Sequence, residues 1–146
     1  MAPLNLLLAD DDVDDCYLFK EALDGIPLST RIAVVHDGVH LMQLLAKSDT
    51  ILPDVLFLDL NMPRKNGFEC LSEIKQNKKF KDLPVIIFST SFEQEVVNLL
   101  HKNGAQYFIR KPSEFSQFKK IIQETLALIA PENASQPTRE NFVLTA

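Results

Sequence analysis

Scarcity marks this sequence from the start. It holds two cysteines, Cys16 and Cys70, too few for a disulfide framework or a zinc site and suited to small apolar side chains in a reducing compartment. No apolar run is long enough to cross a bilayer, and the N-terminus lacks the basic start and cleavage site of a secretory leader. Together these absences predict a cytoplasmic protein with no membrane partner. Basic charge is also short: 15 Lys and Arg stand against 20 Asp and Glu, a net charge of −5, which argues against a nucleic-acid surface. The pairs Lys78-Lys79 and Lys119-Lys120 read as solvated helix faces. His36, His40 and His101 have no triad or metal spacing with the acids and read as surface or strand-end residues. No internal repeat is present, and 146 residues suffice for one domain with a sizeable core.

What is present is a regular alternation of apolar runs and amphipathic stretches. Leu6-Leu7-Leu8-Ala9 ends in acids, Val55-Leu56-Phe57-Leu58 ends at Asp59, Val85-Ile86-Ile87-Phe88 ends at Ser89, and Tyr107-Phe108-Ile109 ends at Arg110-Lys111. Runs without polar alternation suit strands buried on both faces, as in a parallel sheet covered by helices. The stretch 31–35 is more mixed and suits an edge strand. Helical stripes run over 14–23, 39–46, 67–76 and 93–103, the last with Gly104 as a left-handed stop. A final helix, marked by Phe115, Phe118, Ile122 and Ile129, runs to about Ala130. Five strand–helix units predict an α/β sandwich with a parallel sheet and helices on both faces. The domain then spans 1–130, and 131–146 form a C-terminal tail, flexible or docking. That tail is turn-rich at first and carries Phe142-Val143-Leu144, which could dock.

In such a sheet the ligand site lies beyond the carboxyl ends of the strands. There the sequence puts Asp10, Asp11 and Asp12 after the first strand, Asp59 after the third, Ser89 and Thr90 after the fourth, and Lys111 after the fifth. Taken singly each is ordinary, since an acid after a strand is commonly a helix N-cap, a role that suits Asp12 or Asp14. Their joint placement at four strand ends is not ordinary. Clustered carboxylates repel unless a cation neutralises them, and an all-oxygen set with room for water suits magnesium. Magnesium can bridge Asp59 and a phosphoryl oxygen, Ser89 can donate to a second oxygen, and Lys111 can pair with the remaining charge. Attack by a carboxylate then becomes feasible.

Asp10-Asp11, Asp59-Leu60-Asn61-Met62-Pro63 with Gly67 soon after, Ser89, and Lys111-Pro112 resemble, in that order, the receiver domains of two-component signalling, the CheY-like family. The resemblance covers roughly residues 4 to 130. It implies a doubly wound (βα)5 flavodoxin-like sandwich whose five-stranded parallel sheet has the order 2-1-3-4-5. By position it makes Asp59 the phosphoacceptor, Asp11 a direct magnesium ligand, and Asp10 the acid that holds the metal's water shell. Asn61 would supply a backbone carbonyl to the metal, Ser89 the switch hydroxyl, and Lys111 the phosphate-pairing ammonium. A cis Lys111–Pro112 peptide is implied as well. The aromatic switch position is Phe108, where many relatives carry Tyr, so a hydroxyl contact is missing while a packing change shared with Ser89 is retained. Asn61 and Ser91 match positions that govern attacking water, and their modest size implies a phosphorylated form lasting minutes or less. The stretch 57–67, with Ile74-Lys75, resembles stand-alone receivers found beside phytochrome-type and hybrid histidine kinases.

On this reading the chain is a phosphoacceptor switch that catalyses only its own phosphorylation and dephosphorylation. Its partners would be a histidine kinase or phosphotransfer protein and a downstream protein target. A homodimer through the face of fourth helix, fifth strand and fifth helix is a further expectation. Val96, Val97, Leu99 and Leu100 give the fourth helix either a wide core stripe or an exposed contact patch. Three rival readings fare worse. An aspartyl phosphohydrolase would want a second acid where Asn61 stands, and a cap domain. A flavodoxin-type electron carrier would want a hydroxyl- and glycine-rich phosphate loop where three aspartates stand. A degenerate scaffold would not need so complete a site.

Overall fold

A strand flanked by helices on both sides must be apolar on both faces, and the apolar runs fold accordingly. The structure, a computed structural model, describes residues 3–47, 52–129 and 136–145. Its elements are β1 (Leu4–Ala9), α1 (Val13–Asp24), β2 (Thr30–Val35), α2 (Gly38–Ala46), β3 (Val55–Leu58), α3 (Gly67–Gln76), β4 (Val85–Ser89), α4 (Gln94–Lys102), β5 (Tyr107–Arg110) and α5 (Phe115–Ile129). A short 3-10 turn (Arg139–Asn141) and β6 (Val143–Leu144) follow. The strands pair in parallel in the order β2-β1-β3-β4-β5-β6. All residues of β3 and β4 are buried, whereas β2 alternates at the border.

Alternate residues of each strand feed two cores. Leu7, Leu56, Leu58, Val85, Ile87 and Phe108 face α2, α3 and α4. Leu6, Leu8, Phe57, Ile86, Phe88 and Ile109 face α1 and α5. The second core centres on Phe19, whose ring meets Phe57 at 4.9 Å and Phe88 at 5.8 Å, both edge-on. In α4, Val97 and Leu100 enter the first core, Val96 packs partly against it, and Leu99 is exposed, so the stripe is core-facing but for one residue. Gly104 follows α4 with φ +96°, the left-handed stop expected of it. Among the described residues no helix is long and apolar enough to cross a membrane.

The five-stranded sheet inferred from the resemblance needs correction, because the sheet has a sixth strand. Phe108 pairs with Val143 and Ile109 with Leu144, and Phe142 is fully buried against the first core. Two residues are too few for any periodicity, so only the tertiary pairing reveals this strand. The approach to β6 is fixed as well. Gln136 Nε2 donates to the carbonyls of His101 and Ala105 at 2.6 and 2.8 Å, and His101 Nε2 lies 2.8 Å from the Pro137 carbonyl. His101 is therefore an anchor for residues 136–145, with its ring edge-on to Phe142 at 5.0 Å. The expected flexibility of 131–135 and the helix end at Ala130 fall outside the described residues.

Candidate functional site

The carboxyl ends of β1, β3, β4 and β5 meet at one edge of the sheet, and backbone bonds set their heights. Asp59 N–H donates to Ala9 O at 2.9 Å, Asp10 N–H to Val35 O at 3.0 Å, and Lys111 N–H to Ser89 O at 2.9 Å. The acids after β1 diverge in role. Asp12 is the α1 N-cap, its Oδ1 accepting the Asp15 N–H at 3.1 Å, a bond that satisfies a free helix donor. Asp10 turns inward and is fully buried, Asp11 is exposed, and Asp59 is buried.

Asp10, Asp11 and Asp59 each offer a carboxylate oxygen, and these three lie within 4.8 Å of one another. That donor set fits a hard divalent cation: it is all oxygen, and exposed Asp11 leaves room for retained water. Lys111 enters from β5 with its Nζ 2.8 Å from Asp10 Oδ2 and 4.0 Å from Asp59 Oδ2. The ammonium is nearly enclosed and lies 5.0 Å from the centre of the Phe88 ring. Burial disfavours its charge, but the hydrogen bonds to Asp10 and Asp15 outweigh that and leave its pKa raised. For Asp59, burial dominates, and the Asp10 charge adds to it against Lys111, so its pKa is pushed up to about 7. A carboxylate in that condition gains from any cation that arrives.

Ser89 is fully buried at the end of β4, its Oγ accepting the Ser91 N–H at 3.2 Å. Asn61 is exposed, and its N–H lies 3.5 Å from Asp59 Oδ1. A cleft of about 210 Å³ beside the site is lined in part by Asn61, Asn66, Ser91 and Glu93. Behind Asp59 the loop is held by a capping box, in which Asn66 and Glu69 exchange bonds of 3.0 and 3.2 Å. Gly67 is required there because a Cβ would stand 2.4 Å from the Asp59 carbonyl oxygen and 2.8 Å from Leu60 Cα. Arg64 in the same loop has φ +68°, an uncommon state for a side-chain-bearing residue.

Phe108 does not line the acidic cluster. It is fully buried in the first core, one strand from Ile87 and edge-on to Phe92 at 5.9 Å. The implied cis Lys111–Pro112 peptide is corrected: no cis bond occurs among the described residues, trans is the lower-energy form of an X–Pro amide, and Lys111 reaches its acids from it. The sequence reading missed Asp15, whose Oδ2 lies 2.8 Å from Lys111 Nζ. Its place one turn beyond the strand-end acids was the available signal, since the first turn of α1 stands over the same sheet edge.

The model of the "Response regulator receiver domain" family matches residues 6–123. Response regulator Rcp1 of Synechocystis sp. is 29% identical over 125 residues, covering 83% of this chain and 85% of Rcp1. The structure of its Mn(2+)-bound form superposes with a TM-score of 0.81 at 27% identity, covering 93% of this chain and all of that one. The phosphorylated cyanobacterial phytochrome response regulator RcpA gives a TM-score of 0.83 at 28% identity over 94% of this chain and all of that one. A chemotaxis protein CheY homolog of Campylobacter jejuni is 28% identical over 133 residues, covering 91% of this chain and all of the homolog. Strand order, acidic cluster and sequence match agree: the chain belongs to the response regulator receiver domain family of two-component signalling.

Proposed function

We propose that Asp59 is the phosphoacceptor, taking a phosphoryl group from a histidine kinase or phosphotransfer protein. The observation that carries this is the convergence of Asp10, Asp11 and Asp59 within 4.8 Å, with the Lys111 ammonium 4.0 Å from Asp59. Asp10, Asp11, Asp59 and the Asn61 backbone carbonyl would hold magnesium. When bound, the ion neutralises the carboxylates and draws charge from a phosphoryl oxygen. Asp59 attacks phosphorus, Lys111 offsets the charge on the transferring group, and the Ser89 hydroxyl donates to one of its oxygens. Asn61 and Ser91, at the mouth of the cleft, leave water access to the acyl phosphate and so limit its lifetime to minutes or less.

Signalling then follows from packing. Drawing Ser89 toward the phosphoryl group strains the end of β4, and Phe108 on β5 is the neighbouring bulky side chain able to respond. The output would be contact with a downstream protein rather than turnover of an external substrate. A homodimer through α4, β5 and α5 must accommodate residues 136–145, which already line the flank of β5. Division into a receiver of residues 1–130 and an extension of 131–146 belongs to the same proposal, as does a cytoplasmic location.

Incubation with a small acyl phosphate and magnesium, followed by intact mass, tests the central step. One added phosphoryl mass is expected, and none in Asp59→Asn. Labelling that persists in Asp59→Asn would move the acceptor elsewhere.

A further inference from the structure

Lys111 has one partner more than this chemistry uses. Its Nζ lies 2.8 Å from Asp10 Oδ2 and also 2.8 Å from Asp15 Oδ2. Asp10 and Asp59 belong to the set able to share a cation, and Asp15 does not. Asp15 stands in the first turn of α1, its backbone tied to the Asp12 cap at 3.1 Å and its side chain 22% exposed.

A cation arriving at Asp10, Asp11 and Asp59 competes with the ammonium for the Asp10 and Asp59 carboxylates and repels it. An ammonium as enclosed as this one, 6% exposed, cannot be left without a counter-charge at small cost. Of the three carboxylates within 4.0 Å of it, Asp15 alone stays free to hold it. The Phe88 ring centre also lies 5.0 Å from the ammonium, so the Lys111 side chain is enclosed by apolar as well as acidic neighbours.

We propose that Asp15 is a positioning residue for phosphoryl transfer, holding the Lys111 ammonium beside Asp59 once a divalent cation has taken Asp10. This rests on the reading that Lys111 pairs with the transferring group. In the transfer an Asp59 oxygen forms a bond to phosphorus as the donor's acyl O–P bond breaks. The electron pair leaves on the donor carboxylate and no proton moves. The charge on the phosphoryl oxygens rises where Asp15 keeps the ammonium aimed.

The test is a double-mutant cycle on the full chain, with acyl phosphate, saturating magnesium and rates read by intact mass. Asp15→Asn should slow phosphorylation about tenfold, a usual coupling for directly paired groups. Lys111→Met should slow it further. In the Lys111→Met background, Asp15→Asn should change the rate by less than about twofold, because a residue acting through Lys111 has nothing left to act on. Asp15→Glu, which keeps the charge, should recover most of the rate, and Asp15→Ser serves if the amide disturbs the start of α1. An equal loss from Asp15→Asn with and without Lys111 would overturn the proposal, since a general field or a helix-end effect behaves that way. A wild-type rate in Asp15→Asn would overturn it directly. If Lys111→Met itself reacted at the wild-type rate, the role of Lys111 would fall and that of Asp15 with it.

Discussion

The carboxyl edge of the sheet and the outer flank of β5 are built on opposite terms. At the edge, Asp10 and Asp59 are buried beside one another with a single enclosed ammonium between them, an arrangement that weakens the fold and equips it for chemistry. At the flank, Phe142 is fully buried, and β6 and His101 add backbone and side-chain hydrogen bonds, which strengthens the fold and offers no reactive group. The difference teaches that reactivity and stability are assigned to separate places, one at Lys111 just past the end of β5 and the other along its flank at Phe108 and Ile109.

The comparison breaks most visibly at Phe142. Phe142→Ala should cost about 3 kcal/mol for a buried ring in urea denaturation while leaving metal affinity unchanged. An equal loss of metal binding would mean the two regions are not separate. Next comes Gly67→Ala, whose Cβ would press on the Asp59 carbonyl at 2.4 Å. It should cost about 2 kcal/mol as overpacking and also slow phosphorylation, placing the loss at the reactive edge.

The third effect has the opposite sign. Asp59 has its folded pKa raised to about 7 from an ordinary 3.8. Between those values the folded state keeps a proton that the unfolded chain has lost, so the metal-free protein loses support as pH rises toward 7. Asp59→Asn escapes this. Its advantage over the wild type should be absent near pH 4, grow toward neutrality and level off above it. Melting curves across pH read it, and magnesium should close the gap by stabilising the wild type alone. A gap that ignores pH would sink the argument. The smallest effect is expected of Arg139→Ala. Its bond to Asn98 Oδ1 of 2.5 Å is exposed, so the cost should stay within about 0.5 kcal/mol.

Much of the reactive edge was legible because it obeys a fold rule. Apolar runs mark the central strands, and the rule that ligands lie beyond strand ends brings together Asp10, Asp11, Asp59, Ser89 and Lys111 from the sequence alone. Asp15 escaped because its partner is 96 residues away and its own surroundings read as an ordinary acidic helix start. The flank was less legible. Val143 and Leu144 form a strand only because β5 offers open hydrogen-bonding groups, and no local pattern reports such an opportunity. Phe142 stands out in the sequence as able to dock, but its place beside His101 depends on α4 reaching the same flank. The Lys111–Pro112 geometry was inferred from relatives, and no side-chain pattern in the sequence fixes an amide isomer.

A sheet must stop somewhere, and where it stops decides what else can add to it. Without β6, the apolar β5 would offer open amide and carbonyl groups to any extended peptide nearby, the usual start of unwanted self-association between chains. Ending on a strand of two residues leaves too short a template for another molecule to build on.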